Sequence, residues 1–168
     1  MMYESLVGWY VLYTKPRHEK LVEAGLLQKG IEAFTPKVSL RKRWSDRIKV
    51  VEEPLFKSYC FAQFSLFDKT CVLSQRGVVD LVHFRQHYIP VQNTVIDSLR
   101  TLTAHQMAFN PYPYLKVGDK VVVRRGPLKD VEGFLVEKRN KNAMLVISVD
   151  AITSSVQCIV DSDWVDAA

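Results

Sequence analysis

The pattern of apolar and polar positions favours short strands interrupted by two helices. Residues 6–13 are aromatic and aliphatic and favour a strand. Residues 18–29 carry Val22 and Leu26 on one helical face, and Gly30 ends this helix. This order of elements predicts an α+β fold, in which an N-terminal antiparallel sheet has flanking helices and one available face. The other elements predicted in this part are strands at 31–40, 48–51 and 59–64, a turn with a short strand at 77–84, and a helix at 90–107.

The last third of the chain contains four runs whose β-branched residues favour strand over helix. Gly126-Pro127 would fall inside any helix built here, and an interior proline costs a helix about 3 kcal/mol. The length leaves room for about five short strands, the last of them ending near Trp164-Val165. We therefore expect a small β-barrel rather than a helical hairpin. The four runs are 120–123, 133–137, 143–149 and 155–160.

A proline-rich segment separates these two parts. Residues 109–114 contain two prolines within three positions, which block a helix and remove two backbone donors from a sheet. We expect a linker there. The sequence therefore predicts an N-terminal domain at 1–104, a linker at 105–114 and a C-terminal domain at 115–168.

The excess positive charge lies entirely in the first part of the chain. Residues 1–104 contain 15 Lys and Arg against 10 Asp and Glu, whereas residues 105–168 contain 8 of each. Five cations surround Trp44 at the expected tip of a hairpin, which favours an anionic partner such as nucleic acid. A solvated basic face is the alternative, and Trp44 could stack on a base or pack on its own sheet. The five cations are Arg41, Lys42, Arg43, Arg47 and Lys49.

Composition and motifs argue against a membrane protein, a disulfide-rich protein and an enzyme. No apolar run approaches the roughly 18 residues that span a bilayer, and the N-terminus lacks a secretion signal, so we expect a cytoplasmic protein without a membrane partner. Cys60, Cys71 and Cys158 are odd in number and widely spaced, which indicates neither a disulfide framework nor a zinc site. His83 and His87 should not share a helical face. Because no Gly-rich phosphate loop, nucleophile elbow or paired acid motif is present, we expect no catalytic residue, metal or cofactor.

The stretch 117–128, followed by 133–136, predicts two short strands joined by a tight basic turn. Gly126-Pro127 supplies the reversal, and Gly133 can take a positive φ or admit a neighbouring backbone. This segment resembles a KOW motif. KOW motifs lie in small β-barrels of proteins that act on ribosomes or on transcribing RNA polymerase, so the resemblance implies a partner of that class. Any glycine-punctuated hairpin of a small barrel is the alternative.

Three landmarks make residues 1–104 similar to the NusG-type N-terminal domain in both order and spacing, and the KOW-like motif follows where that family carries it. The resemblance covers nearly the whole chain. It implies a monomeric transcription elongation factor whose N-terminal domain docks on the β′ clamp helices of RNA polymerase and whose KOW domain recruits another factor. The landmarks are Trp9-Tyr10-Val11-Leu12-Tyr13 with Lys15, Glu53-Pro54-Leu55-Phe56 running to Tyr59-Cys60-Phe61, and Arg76-Gly77-Val78 running to Val82-His83-Phe84.

Two departures from the family pattern favour a specialised antiterminator of the RfaH or UpxY kind over the general factor. Where the family often has Phe-Pro-Gly-Tyr, this chain has Lys57-Ser58 between its two aromatic residues. Where general members have Phe-Gly-Arg in the KOW domain, it has Asp150-Ala151-Ile152, which leaves open whether a ribosomal protein or a termination factor is the partner.

The resemblance also implies which residues contact the polymerase. Tyr13, Phe56 and Phe61 match positions that form an apolar pocket for the clamp helices, and an exposed aromatic cluster is typical of an interface. Thr70 and Cys71 match the region that touches the gate loop of the β subunit. The alternative for the aromatic residues is a role in the core of the sheet domain.

A second set of residues is expected to bind nucleic acid. Lys15, His18 and Arg76 could face the non-template DNA strand, where phosphate attraction would add affinity and an exposed base could stack. The hairpin cations Arg41, Lys42 and Arg43 are also candidates for binding nucleic acid, and an acidic surface of the polymerase is the alternative partner. As an alternative function we consider a ribosome-associated or RNA-binding KOW protein, which would need a basic barrel; the neutral charge of the last 64 residues weakens it.

Overall fold

The structure is a computed structural model in which the chain forms two compact units, Met1–Val91 and Gln92–Ala168. The domain boundaries expected from the sequence stay a prediction. Leu6 and Val117, which the sequence placed in strands, and the end of the predicted helix at 106–107 lie outside the described residues. The described residues are 7–105, 109–112, 114 and 118–168.

In its described part, from residue 7 onward, the first unit combines short strands with two helices. In chain order these elements are β1 (Val7–Thr14), α1 (Glu19–Gln28), β2 (Glu32–Phe34), β3 (Lys37–Arg43), β4 (Ile48–Pro54), β5 (Tyr59–Ser65), α2 (Lys69–Leu73), β6 (Val78–Leu81), β7 (His83–Phe84) and β8 (His87–Tyr88). Four strands form an antiparallel sheet in the order β2-β5-β1-β6. Two hairpins, β3-β4 and β7-β8, form separate two-stranded sheets.

One face of the four-stranded sheet forms the core of this unit with both helices. Strand alternation places Tyr10 and Leu12 of β1 on that face, opposite Ala62 and Cys60 of β5. These residues pack with buried side chains of α1 and α2 because the apolar positions of α1 recur at helical spacing, as the sequence predicts. The helical residues in this core are Val22, Leu26 and Val72.

Two local features of the first unit differ from the sequence prediction. The single strand expected at 31–40 is divided into β2 and β3 by Thr35-Pro36, because proline has no N–H to donate to a sheet. The carbonyl of Pro36 accepts a 2.8 Å hydrogen bond from the N–H of Leu55. The 3₁₀ turn Leu66–Asp68 and helix α2 were not predicted, since segments this short leave no periodic pattern.

Among its described residues, the second unit contains one helix and six strands. In chain order they are α3 (Asn93–Ala104), β9 (Phe109–Tyr112), β10 (Asp119–Val123), β11 (Glu132–Arg139), β12 (Asn142–Val149), β13 (Ser154–Asp161) and β14 (Val165–Ala167). The strands form one antiparallel sheet in the order β14-β10-β11-β12-β13-β9. Each of the four strand runs predicted from β-branched residues overlaps one of the strands β10 to β13.

The prediction of helices combined with antiparallel sheets is confirmed, whereas a closed barrel is not. Strands β14 and β9 lie at opposite ends of the strand order. Among the described residues no pairing joins these two edges, so the second unit contains a six-stranded sheet without hydrogen-bonded closure.

The segment predicted as a linker contains an edge strand. Strand β9 pairs with β13, with Pro111 opposite Val156. An edge strand tolerates proline because one row of its backbone groups does not need a partner in the sheet. At Pro111 the chain is therefore not helical, as the sequence predicted, but it forms a strand.

Helix α3 groups with the second unit, although the sequence assigned it to the first domain. Its predicted apolar residues Ile96, Leu99 and Leu102 are fully buried. The hydroxyl of Ser98 accepts a 3.0 Å hydrogen bond from the backbone N–H of Glu132, at the start of β11. This hydrogen bond connects α3 to the start of β11 in the same unit.

Candidate functional site

An aromatic surface lies on the face of the first sheet opposite the helical core. We define it by Tyr13, Phe34, Phe56, Tyr59 and Phe61. The register sets Tyr13 directly across from Tyr59, with ring centroids 5.8 Å apart. The ring of Phe61 lies 6.3 Å from that of Phe34 and 6.2 Å from that of Phe56, which it meets edge-on. These separations are typical of stabilising aromatic pairs.

The members of the aromatic surface differ in what a partner could touch. Tyr13 is 42% exposed, whereas Phe61 is fully buried and Phe56 is also buried. The sequence hypothesis of an exposed cluster of Tyr13, Phe56 and Phe61 therefore needs a correction. A side chain that is fully buried supports the shape of a surface, and only Tyr13 of these three offers a ring to a partner in this conformation.

A strained turn leads from Phe56 to Tyr59. Ser58 has a φ of 66°, in the left-handed region that glycine adopts most easily. Two hydrogen bonds hold the backbone of Ser58. The N–H of Ser58 donates to the carboxylate of Glu19 at 2.6 Å, and the carbonyl of Ser58 accepts from the N–H of Thr14 at 2.8 Å. Where the family pattern has glycine, this chain therefore places Ser58 in a conformation that glycine adopts most easily.

Thr70 and Cys71 lie together on α2, and both are exposed. The carbonyl of Cys71 accepts a 2.7 Å hydrogen bond from the hydroxyl of Ser74, which secures the end of this short helix. Phe67 precedes them in the chain and is 68% exposed. Sequence reasoning missed Phe67. The hydroxyl of Ser65 accepts a 3.3 Å hydrogen bond from the N–H of Phe67, and this cap pattern could have indicated a turn that points outward.

The structure brings Lys15, His18 and Arg76 together around Gly77. The N–H of Lys15 donates a 2.8 Å hydrogen bond to the carbonyl of Gly77, the residue after Arg76. Gly77 has a φ of 98°, and a Cβ placed on it would lie 3.1 Å from the Cβ of His18. The Nδ1 of His18 lies 3.0 Å from the carbonyl of Pro16, which fixes the ring. The backbone of Lys15, the residue after Arg76 and the side chain of His18 therefore lie close together, and both Lys15 and Arg76 are exposed. We call Lys15, His18 and Arg76 the basic cluster.

Arg41, Lys42 and Arg43 lie apart from this basic cluster in sequence and sheet, on the β3-β4 hairpin. All three are exposed, as is Trp44. Lys42 forms an ion pair with Glu53, and its hydrogen bond to that carboxylate holds the pKa of Glu53 below its ordinary value. The nucleic-acid-binding candidates therefore divide into two groups.

The histidines and cysteines do not assemble a chemical site within the described residues. His83 pairs with Tyr88 and His87 with Phe84, so strand alternation puts the two histidines on opposite faces of the β7-β8 hairpin. Burial raises the pKa of the thiols of Cys60 and Cys158 to about 12. Within the described residues, no three metal-ligating side chains lie close enough together to hold a metal ion.

The second unit places the KOW-like segment on β10, β11 and the turn between them. Gly126 has a φ of 80°, and a Cβ placed on it would lie 2.3 Å from the ring of Trp164. The N–H of Arg124 donates a 2.6 Å hydrogen bond to the carbonyl of Trp164. The basic turn is therefore held against the segment that precedes β14.

No helix within the described residues is long and apolar enough to cross a membrane.

Comparisons with known proteins identify the family. A family model described as NusG, transcription termination factor nusG, matches residues 8–100, and a search of curated proteins gives no match. Thermotoga maritima NusG, in a structure of its domain interaction, is 18% identical with a TM-score of 0.50, and the similarity covers 98% of this chain and 98% of that chain, which shows a shared fold.

Two further solved structures are more distant. Chains of the MjSpt4:Spt5 complex in conformations B and A are 13% and 11% identical, with TM-scores of 0.32 and 0.29. The similarity covers 95% of this chain in both cases and 96% and 97% of those chains, and likeness at these scores is too weak to support a structural argument. The match to the family model instead spans more than half of the 168 residues. The chain therefore belongs to the NusG family, a family of transcription elongation factors.

Proposed function

We propose that this protein is a transcription elongation or antitermination factor that binds RNA polymerase through its first unit and recruits a partner through its second. The observation that carries the proposal is the aromatic surface, whose outer ring, Tyr13, is exposed within the residues that match the family model. For this role we expect the protein to lie in the cytoplasm and to act as a monomer on transcribing RNA polymerase.

The aromatic surface suits the docking of the apolar side chains of two helices. Tyr13 and Tyr59 stand side by side, and Phe61 with Phe56 forms a rigid base next to them. Aromatic residues with few rotatable bonds lose little entropy on binding and often dominate the energy of an interface. We infer that the β′ clamp helices occupy this surface, with Tyr13 as the main direct contact.

A second polymerase contact is proposed at the exposed segment around α2. Phe67, Thr70 and Cys71 are exposed there, and Phe67 provides the larger apolar area. An exposed aromatic side chain beside small polar residues is typical of a protein contact. The proposed partner of this segment is the gate loop of the β subunit.

The basic cluster of Lys15, His18 and Arg76 is proposed to contact the non-template DNA strand. The backbone hydrogen bond between Lys15 and Gly77 joins the two segments that carry Lys15 and Arg76, and two exposed cations on neighbouring segments would attract a phosphate backbone. The imidazole of His18 could add stacking on an unpaired base.

The second unit is proposed to be the KOW domain that recruits another factor. At the position of the usual Phe-Gly-Arg, the chain forms the 3₁₀ turn Asp150–Ile152, in which Ile152 is buried and Asp150 accepts a 2.9 Å hydrogen bond from the hydroxyl of Tyr114. A buried Ile and an engaged Asp offer a different surface from Phe and Arg. This difference supports a specialised RfaH- or UpxY-like role and leaves the ribosomal protein and the termination factor as partners to be tested.

The alternative function is a ribosome-associated or RNA-binding KOW protein. It would need positive charge in the second unit, and residues 92–168 carry 9 cations and 9 anions. The exposed cations lie mainly in the first unit instead, which favours the polymerase.

The test is direct binding of the full chain to core RNA polymerase, measured by a fluorescence titration. We expect saturable binding that an isolated fragment of the β′ clamp helices competes away. Naked RNA should not displace the polymerase. Absence of polymerase binding, together with tight binding to ribosomes or RNA, would replace the proposal by the alternative.

A further inference from the structure

A cavity of about 350 Å³ lies among strands β10, β11, β12 and β14 of the second unit. We call it the β14 cavity. Its apolar lining includes Val121 and Ala143, which are buried, and Leu135 and Val165, which are half-buried. Ala167 in the same lining is exposed, so the cavity is reached from solvent. Binding pockets in proteins start at about 300 Å³, so this one has room for an apolar side chain of a partner.

Two charged residues of the lining lie on the same face of the sheet as the apolar ones. Asp119 pairs directly with Leu135, and Lys138 pairs directly with Ala143. Paired residues on neighbouring strands share a face, so the carboxylate and the ammonium stand at the mouth of an apolar cavity. Both residues are exposed.

These two charges are also the ones that remain available to a partner. Lys120 and Asp166, the other charged residues of the lining, form ion pairs of 3.3 Å and 3.7 Å with neighbouring side chains of the second unit. Within the part of the chain that the structure describes, no ion pair engages Asp119 or Lys138. An occupant that complements the cavity therefore combines an apolar group with one negative and one positive group.

The outer edge of β14 runs beside the cavity. The N–H of Ala168 donates a 3.0 Å hydrogen bond to the carbonyl of Lys120, so this residue directs its backbone toward β10. Neighbouring residues of a strand direct their backbone groups to opposite edges, so those of Val165 and Ala167 point away from β10. Strand β14 is the end strand of the sheet, and among the described residues no strand pairs with its outer edge. The two residues with outward backbone groups thus also line the cavity.

We propose that the second unit binds an extended segment of a partner protein, which adds as a strand to the outer edge of β14 and places one apolar side chain in the β14 cavity. In strand addition, main-chain hydrogen bonds give affinity and pockets for alternate side chains give specificity. Residues two positions before and after the apolar one lie on the same side of the added strand. One of them is therefore acidic, for Lys138, and the other is basic, for Asp119.

This inference rests on the proposed function, in which the second unit recruits another factor, and it names a surface and a kind of segment for that contact. The cavity includes Ala143 at the start of β12, whereas the turn Asp150–Ile152 follows the end of β12. About seven residues of extended strand separate them, which corresponds to about 23 Å. The cavity and the turn are therefore separate surfaces.

The test is an amide NMR titration of the full chain with capped peptides that are otherwise made of threonine. One peptide has a central leucine, with glutamate two positions before it and lysine two positions after it. A second peptide exchanges glutamate and lysine, because the direction of the added strand decides which order fits. A third has threonine in place of the leucine.

We expect saturable shifts of the backbone amides of Val165 and Ala167. One leucine peptide should bind at least about three-fold more tightly than the peptide with the exchanged charges, and at least about ten-fold more tightly than the threonine peptide. A matched pair of variants tests the cavity itself. Ala167→Leu fills it and should weaken the better peptide at least about ten-fold, whereas Ala168→Leu makes the same change on the other face and should weaken it less than about two-fold.

Four results would overturn the proposal. They are no saturable shift of these amides up to about 5 mM peptide, equal binding of the leucine and threonine peptides, equal binding of the two charge orders, and unchanged binding by Ala167→Leu. The peptide comparisons use the wild-type chain, so they hold even if a variant fails to fold, which circular dichroism checks. Polymerase binding of the wild-type chain is measured separately, without peptide, so that failure of the proposed function is distinguished from failure of this inference.

Discussion

The carboxylate of Glu19 accepts a 2.6 Å hydrogen bond from the backbone N–H of Ser58, 39 residues further along the chain. Glu19 is buried at the first turn of α1, where the positive end of the helix dipole favours a carboxylate. The bond stabilises the left-handed turn that follows Phe56. The shape of the aromatic surface therefore depends on a residue in the neighbouring helix.

Replacing Glu19 by alanine should destabilise the first unit. The substitution leaves the N–H of Ser58 without its acceptor, which typically costs about 1 to 3 kcal/mol of the free energy of unfolding. Glu19→Gln keeps an acceptor oxygen of nearly the same shape and should lose less. Urea denaturation measures both, and equal losses in the two variants would show that the hydrogen bond is not what matters.

Replacing Ser58 by glycine should stabilise the protein. The left-handed conformation of Ser58 costs about 1 to 2 kcal/mol more for a non-glycine residue than for glycine. The greater entropy of glycine in the unfolded chain offsets part of this gain in the Ser58→Gly variant. We expect a net gain below about 1 kcal/mol, visible as a higher denaturation midpoint. A lower midpoint would mean that the serine side chain contributes more than the strain costs.

The three thiols should differ in reactivity. Cys71 is exposed, whereas Cys60 and Cys158 are buried with pKa values raised from 9.0 to about 12. In the native protein we expect a thiol reagent to label Cys71 only, with the other two labelled after unfolding. Rapid native labelling of Cys60 or Cys158, located by mass spectrometry, would contradict their burial.

The raised pKa values also predict a loss of stability in alkaline solution. Between pH 9 and about 12 the unfolded chain has lost the thiol protons that the folded chain keeps, so the free energy of unfolding falls as the pH rises through this range. Cys60→Ala with Cys158→Ala should show a shallower fall than wild type. The comparison is needed because lysines and tyrosines titrate over the same range.

Two glycines with similar backbone angles should respond differently to alanine. Gly30 and Gly126 have φ of 75° and 80°, so alanine at either position would be in the left-handed conformation, which costs about 1 to 2 kcal/mol of the free energy of unfolding. A Cβ on Gly30 meets nothing within 4 Å, whereas one on Gly126 would collide with the ring of Trp164. Gly126→Ala should cost about 1 to 3 kcal/mol more, measured by denaturation. Equal costs would mean that Trp164 moves freely.

The sequence predicted elements whose signal is local. The apolar spacing of α1, the β-branched runs of the second unit and the turn after residue 40 each lie within a short window, and each matches a helix, strand or hairpin of the structure. The split at Pro36 and the strand β9 were missed because a proline's effect depends on whether its strand lies at an edge.

The candidate site was less predictable than the fold. A resemblance can assign Tyr13 and Phe61 to one surface, but only packing decides that the first is exposed and the second is buried. The support of Ser58 by Glu19 joins residues far apart in the sequence, so no local pattern reveals it. Phe67 was also missed, because the Ser65 cap indicates only a turn, whereas the exposure of an aromatic residue depends on what packs around it.

The central claim is tested most directly by the affinity of Tyr13→Ala for RNA polymerase. The matched control is Phe84→Ala, which removes another exposed ring of the first unit, on the β7-β8 hairpin and 63% exposed. Since loss of an aromatic anchor at an interface costs about 2 kcal/mol or more, we predict roughly a thirty-fold weaker Kd for Tyr13→Ala and little change for Phe84→Ala. A folded Tyr13→Ala variant that binds polymerase as tightly as the wild-type chain would contradict the account.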